Sequence, residues 1–174
     1  DMGIVPRTLI LAVLYTMVGG LAACAPFGGQ PAAPAVGAAA PDFTLPQLDG
    51  GKLQLADQQG RVVIVNFWAT WCGPCVSETP RLVQWYNQHQ GSGLQVLGID
   101  VLYQDSRESV VAFTRDYKVT YPVLLDEEGT VARQWRALQL PRSYVVDRQG
   151  VVRFARIGEL TEDDFEQKVL PLLR

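Results

Sequence analysis

The sequence predicts an α/β fold with a mixed central sheet and helices on both faces. Three observations predict it. Arg61-Val62-Val63-Ile64-Val65-Asn66-Phe67 is a nearly continuous β-branched run, the pattern of a strand buried on both faces of a parallel sheet. Segments with helical spacing of apolar residues follow this strand and the next one, at residues 94–99. Near the C-terminus, residues 143–146 and 151–157 read as strands joined by Asp147-Arg148-Gln149-Gly150, a hairpin turn that adds antiparallel strands to parallel ones.

The elements follow in order from residue 42. Phe43-Thr44-Leu45 and Leu53-Gln54-Leu55 alternate apolar and polar residues, and Asp49-Gly50-Gly51 lies between them, so a small hairpin is expected. The long strand over residues 61–67 comes next. A helix is expected from about Cys72 to Gln90, kinked at Pro80. Asp105, with Glu108 three residues on, looks like a capping box opening a second helix, with Val110, Phe113 and Tyr117 on its apolar face. Residues 123–125 form a short strand behind Pro122, and a short helix lies near residues 131–135. Thr161 caps a last helix that turns Phe165, Val169 and Leu172 to one side.

The chain has 174 residues, of which residues 42–174 suit one compact domain. Its net charge of −3 leaves no basic footprint for nucleic acid. Residues 1–23 read as a secretory signal: Arg7 precedes an apolar run over residues 9–18, and small residues follow. That run is short for a bilayer-spanning helix, which needs about 20 apolar residues. Residues 24–41 are rich in Ala, Pro and Gly, with little apolar area to bury, and read as a mobile tether.

Three cysteines are present: Cys24, Cys72 and Cys75. They are too few for a structural disulfide framework. An odd count in an exported chain leaves one thiol free, paired between chains or modified. Cys72 and Cys75 fall where the long strand gives way to a helix. Unpaired N–H groups and the helix dipole there favour a negative charge, which lowers a thiol pKa from about 8.5 toward 7 or below. The thiolate is the attacking species in disulfide exchange, so Cys72 is expected to be the nucleophile. Cys75 lies on the same helical face at a spacing that fits a Cys72–Cys75 disulfide, and is expected to resolve. Pro74 fits the first helical turn, and Gly73 leaves room for a partner chain. Half a zinc site is the competing reading, but no second cysteine pair is present and His89 is the only histidine. A static disulfide is another, although closing two intervening residues stabilises little.

At Phe67-Trp68-Ala69-Thr70-Trp71-Cys72-Gly73-Pro74-Cys75 the chain resembles the thioredoxin superfamily. The likeness is nearer to the extracytoplasmic, membrane-tethered TlpA and ResA group, of the redoxin (AhpC/TSA) type, which includes cytochrome c maturation thioredoxins. It runs from Ala40-Pro41-Asp42-Phe43 onward and takes in Tyr121-Pro122-Val123 before Asp126, then Pro141, Asp147 with Gly150, and Gly158. The resemblance implies a thioredoxin-like fold with an N-terminal hairpin and an inserted helix and strand over residues 106–125. It implies a cis bond before Pro141, with the Leu140 backbone pairing to a partner's extended chain. Glu78 resembles the buried acid of the ResA-type proteins, where a carboxyl in an apolar setting has a raised pKa and can relay a proton between the cysteines. A solvated glutamate favoured by the helix dipole is the simpler reading of Glu78. Leu21-Ala22-Ala23-Cys24 resembles a lipobox, which implies cleavage before Cys24 and a lipid on its sulfur; plain cleavage nearby or an uncleaved anchor also fits.

Trp71 is expected on the partner-docking surface, Trp68 in the core, Trp85 and Tyr86 in helix packing and His89 at the surface. Gln139, Leu140 and Arg142 depart from the family pattern around Pro141. A cation at Arg142 near Cys72 would favour the thiolate or read an acidic partner segment. The expected function is membrane-tethered thiol–disulfide exchange, mostly reduction of disulfides in exported proteins such as apocytochromes c. Electrons would come from a membrane thiol-transfer protein. The pattern calls for no cofactor and no metal, and the chain is expected to act as a monomer. Two other classes share parts of the pattern. A thiol peroxidase would carry Thr and Pro before its cysteine in an arrangement that Thr70-Trp71-Cys72 lacks. A copper-binding assembly factor would need a wider cysteine spacing and a distal histidine.

Overall fold

The computed structural model describes residues 33–101 and 105–174. Cys24, the signal segment and residues 24–32 of the expected tether lie outside the described residues. Among the described residues no helix is long and apolar enough to cross a membrane.

The elements are β1 (Thr44–Pro46), β2 (Lys52–Gln54), β3 (Val62–Trp68), α1 (Gly73–His89), β4 (Leu94–Asp100), α2 (Arg107–Asp116), β5 (Val123–Leu125), α3 (Thr130–Gln134), β6 (Arg142–Val146), β7 (Val152–Ile157) and α4 (Glu162–Asp164). The main sheet has the order β5-β4-β3-β6-β7. β3, β4 and β5 run parallel, whereas β6 and β7 are antiparallel to their neighbours. β1 and β2 form a separate antiparallel hairpin, with Leu45 opposite Leu53. The hairpin is tied to the main sheet where the Leu48 N–H donates to the Val123 carbonyl at 2.9 Å.

The pleat of β3 explains why both faces are covered. All seven of its residues are buried, and successive side chains point to opposite faces. On one face Asn66 meets Glu78 of α1, and Trp68 packs on Phe113 of α2 with ring centroids 4.7 Å apart. On the other, Phe67 packs on Trp135, just past α3, and on Tyr144 of β6. The expected mixed sheet with helices on both faces is therefore what the chain forms.

Gly98 on β4 shows how closely these layers approach. A Cβ there would meet the Tyr121 ring at 2.9 Å and the Trp68 indole nitrogen at 3.2 Å. Gly98→Ala is expected to destabilise the fold by roughly 1–3 kcal/mol through overpacking. A urea midpoint equal to wild type would show that the aromatic layer yields.

Three local expectations are corrected. Ser106, not Asp105, caps α2: its hydroxyl accepts from the Ser109 N–H at 3.1 Å. Tyr117 ends that helix exposed, stacked on Phe113, rather than in the core. At the C-terminus Thr161 and Asp164 do form a capping box. The chain then widens into a π turn over Phe165–Val169, and Leu173 is buried where Leu172 was expected. Wider turns shift the inward face along the sequence.

Residues 37–40, inside the stretch expected as tether, pair with the start of β7. The Gly37 N–H donates to the Val152 carbonyl and the Ala40 N–H to the Gly150 carbonyl, both at 2.8 Å. Small residues leave these backbone groups free to pair, although they bury little side chain.

Candidate active site

The site forms at the C-terminal end of β3, where the chain turns into α1. The Cys72 N–H donates to the Ala69 carbonyl at 3.2 Å, which closes the turn. Cys72 then caps α1 in an extended conformation, its sulfur accepting from the Cys75 N–H at 3.3 Å. Pro74 sits in the first turn, where a missing N–H costs nothing. Cys72 and Cys75 are joined in a disulfide, with Cα atoms 5.2 Å apart.

The turn is anchored by Asp105. Its carboxylate accepts from the Thr70 N–H at 2.7 Å and the Thr70 hydroxyl at 2.9 Å. The same group accepts from the Ser106 N–H at 2.8 Å, so one side chain links the active turn to the start of α2.

A groove of about 400 Å³ opens over the pair, lined by Trp71, Cys72, Gly73, Pro74, Val101, Ala137, Leu138 and Leu140. Five residues singled out from sequence, Trp71, Cys72, Gly73, Pro74 and Leu140, thus share one surface. Trp71 is 57 % exposed. Cys75 does not line the groove and is buried beneath it. A partner sulfur arriving in the groove meets Cys72 first.

The Leu140–Pro141 bond is cis. The Pro141 carbonyl accepts from the Gly158 N–H at 2.9 Å, which holds this loop against the end of β7.

Glu78 is buried in α1 on the same face as Cys75. One carboxylate oxygen accepts from the Leu160 N–H at 2.6 Å and the other from the Asn66 amide at 3.0 Å. Asn66 also donates to the Ser143 hydroxyl at 2.9 Å. Burial raises the Glu78 pKa to about 7, against the lowering effect of those two hydrogen bonds. The solvated reading of Glu78 is excluded by its burial.

Arg142 follows the cis-proline loop and lies in the hollow next to the groove over Cys72. Its guanidinium sits over the Tyr144 ring, 4.7 Å from the centroid, and lines a neighbouring depression instead of the groove. Trp68 is buried, Trp85 stacks on Phe165 and Tyr86 meets Tyr121 edge-on. His89 is half-buried against Phe165 rather than at the surface.

Sequence reading missed two polar residues of this region, Asn66 and Asp100, and read Asp105 only as a helix cap. For Asn66 and Asp100 a signal exists, since each interrupts or ends an apolar strand run. Asp100 is fully buried, and neither carboxylate oxygen has a hydrogen-bond partner among the described residues. Burial, then the charge of Asp105, raises its pKa to about 8.

A buried strand, a cysteine-capped helix and a cis-proline loop around one disulfide define a thioredoxin-like redox protein. The model of the AhpC/TSA family matches residues 36–155, and the chain belongs to that family. It is 33 % identical over 164 residues to the thiol-disulfide oxidoreductase ResA of Geobacillus thermodenitrificans, covering 94 % of this chain and 92 % of the relative. It is 35 % identical over 134 residues to the thioredoxin-like protein YneN of Bacillus subtilis, covering 76 % and 78 %. A solved structure, the thiol:disulfide interchange protein of the thioredoxin family from Chlorobium tepidum, superposes with a TM-score of 0.70 at 29 % identity, over 80 % of this chain and 99 % of that one. The chain is an enzyme of the thiol–disulfide oxidoreductase type.

Proposed function

We propose that this chain reduces disulfides of exported proteins from a membrane-tethered position outside the cytoplasm. The observation that carries this reading is the asymmetry of the pair: Cys72 lines an open groove and Cys75 lies beneath it. In the dithiol form the Cys72 thiolate attacks one sulfur of a partner disulfide. That bond breaks, and the other partner sulfur leaves as a thiolate and takes a proton. The Cys75 thiolate then attacks Cys72, the mixed disulfide breaks and the second partner sulfur is released. Two electrons pass to the partner, and the Cys72–Cys75 disulfide forms. A membrane thiol-transfer protein would return the pair to the dithiol.

Glu78 is proposed to hold the proton that Cys75 must lose, because a carboxyl titrating near pH 7 can exchange it at little cost. The pH profile of Cys72 alkylation should then differ between wild type and Glu78→Gln; superimposable profiles would sink the relay. Leu140, beside the cis bond, is proposed to pair its backbone with the partner, and Trp71 to cover it. The haem-binding Cys-x-x-Cys-His segments of apocytochromes c fit as substrates, with the chain working as a monomer. Lipid on Cys24 is the proposed anchor, and residues 24–36 the proposed reach. Wild type should carry an acyl mass that Cys24→Ala lacks.

The central test is a trap. A Cys75→Ser chain should accumulate a mixed disulfide between Cys72 and an exported protein. Full activity of Cys75→Ser with no adduct would overturn the reading.

A further inference from the structure

We propose that Arg142 and the depression it lines form a subsite for an acidic residue of the partner segment that docks beside Cys72. The inference rests on the thiol–disulfide exchange reading above and names a substrate preference for it.

The depression holds about 260 Å³ and is lined by Arg136, Leu138, Gln139, Arg142 and Ile157. Leu138 also lines the groove over Cys72, so the two hollows adjoin. Leu138 is 69 % exposed and Ile157 58 % exposed, so exposed apolar side chains share the depression with the two arginines. Among the described residues no acidic side chain lines either hollow. The chain as a whole carries a net charge of −3, so this positive spot does not belong to a generally basic surface.

Arg142 itself carries the argument. It is the first residue of β6, directly after Pro141, and strand pairing with Phe67 and Ile157 fixes its backbone. Its side chain is half-buried, and its Nε has no hydrogen-bond partner among the described residues. Among the described residues Arg142 forms no ion pair, and its guanidinium rests over the Tyr144 ring. A donor held away from water without an acceptor is costly. A guanidinium is planar and suits bidentate bonding to a carboxylate, so an Asp or Glu entering the depression would satisfy it. Contact with the Tyr144 ring limits the freedom of the guanidinium, which lowers the entropy lost on binding. An extended segment crossing the Leu140 position would carry its side chains from the first hollow to the second.

The test uses the full chain in its dithiol form. The substrates are disulfide-bonded peptides that differ only by Asp, Asn or Lys within two residues of the cysteine. Stopped-flow rates of reduction should favour Asp over Asn by about tenfold, as one charge-assisted contact implies. The preference should shrink at high salt. Arg142→Gln should bring the Asp to Asn ratio close to one, and Arg142→Lys should restore part of it. Equal wild-type rates for all three peptides would overturn the subsite and leave the exchange reading standing. Reduction of none of them would overturn both.

Discussion

Cys72→Ser is expected to abolish disulfide reduction, a loss on the order of 10³-fold or more. The reasons are chemical and positional. A serine hydroxyl forms no disulfide and is scarcely ionised at neutral pH. Cys75 cannot stand in, because it lies under the groove and does not line it. The two single variants should therefore differ in kind. Cys75→Ser loses turnover but still reacts once, leaving the partner bound to Cys72. Cys72→Ser forms no such adduct. Mass spectrometry after brief alkylation of the reduced proteins checks the same asymmetry. Wild type should be labelled at Cys72 well before Cys75. Faster labelling at Cys75, or an adduct through Cys75 in Cys72→Ser, would reverse the assigned roles. Dependence on pH adds a second check: alkylation of Cys72 should remain appreciable below pH 8.5, because the start of α1 favours the thiolate.

What could be read from the sequence divides along a physical line. Strand β3 was legible because burial on both faces removes polar residues from a run, but the Asn66 side chain that bonds Glu78 and Ser143 was not read from it. The helix start at Cys72 and the inward facing of Cys75 and Glu78 were legible because helical spacing is local. The thioredoxin resemblance then supplied Pro141 as the loop that faces the pair. Contacts between residues far apart in the chain leave no such trace. Asp105 looked like a helix cap because Glu108 follows at the right distance. Its carboxylate is instead taken by Thr70, 35 residues earlier. Arg142 was read only as a cation following Pro141; its seat over Tyr144, two residues on along the same strand face, left no trace in that reading. The pairing of residues 37–40 with β7 is made by backbone alone, so composition carries no sign of it.

Asp100→Asn is expected to stabilise the protein at pH 8 by a few kcal/mol while leaving it near wild type at pH 4. Asp100 ends β4 in register with Trp68 of β3, and paired positions in a parallel ladder share a face. It is enclosed there, and among the described residues neither its oxygens nor the Trp68 indole nitrogen has a hydrogen-bond partner. An ionised carboxylate in such a place is costly, so the folded chain keeps the proton until about pH 8. Unfolding returns the group to water, where it ionises near the ordinary value of 3.8. Below that value both states are protonated, and Asp100 contributes nothing to the pH dependence. Between about 4 and 8 the unfolded state has lost a proton that the folded state holds, so stability falls as pH rises. Above about 8 the penalty is fully present. Asparagine has the same shape and does not ionise, so this part of the slope should vanish. Glu78, raised from 4.5 to about 7, adds a loss of the same sign over a narrower window, and Asp100→Asn leaves it in place. Urea unfolding at pH 4, 6 and 8 checks the whole pattern in wild type, Asp100→Asn and Glu78→Gln. A wild-type stability that does not decline between pH 4 and 8 would show that Asp100 finds a partner or water in solution. A variant that tracks wild type at every pH would assign the decline to Glu78 alone.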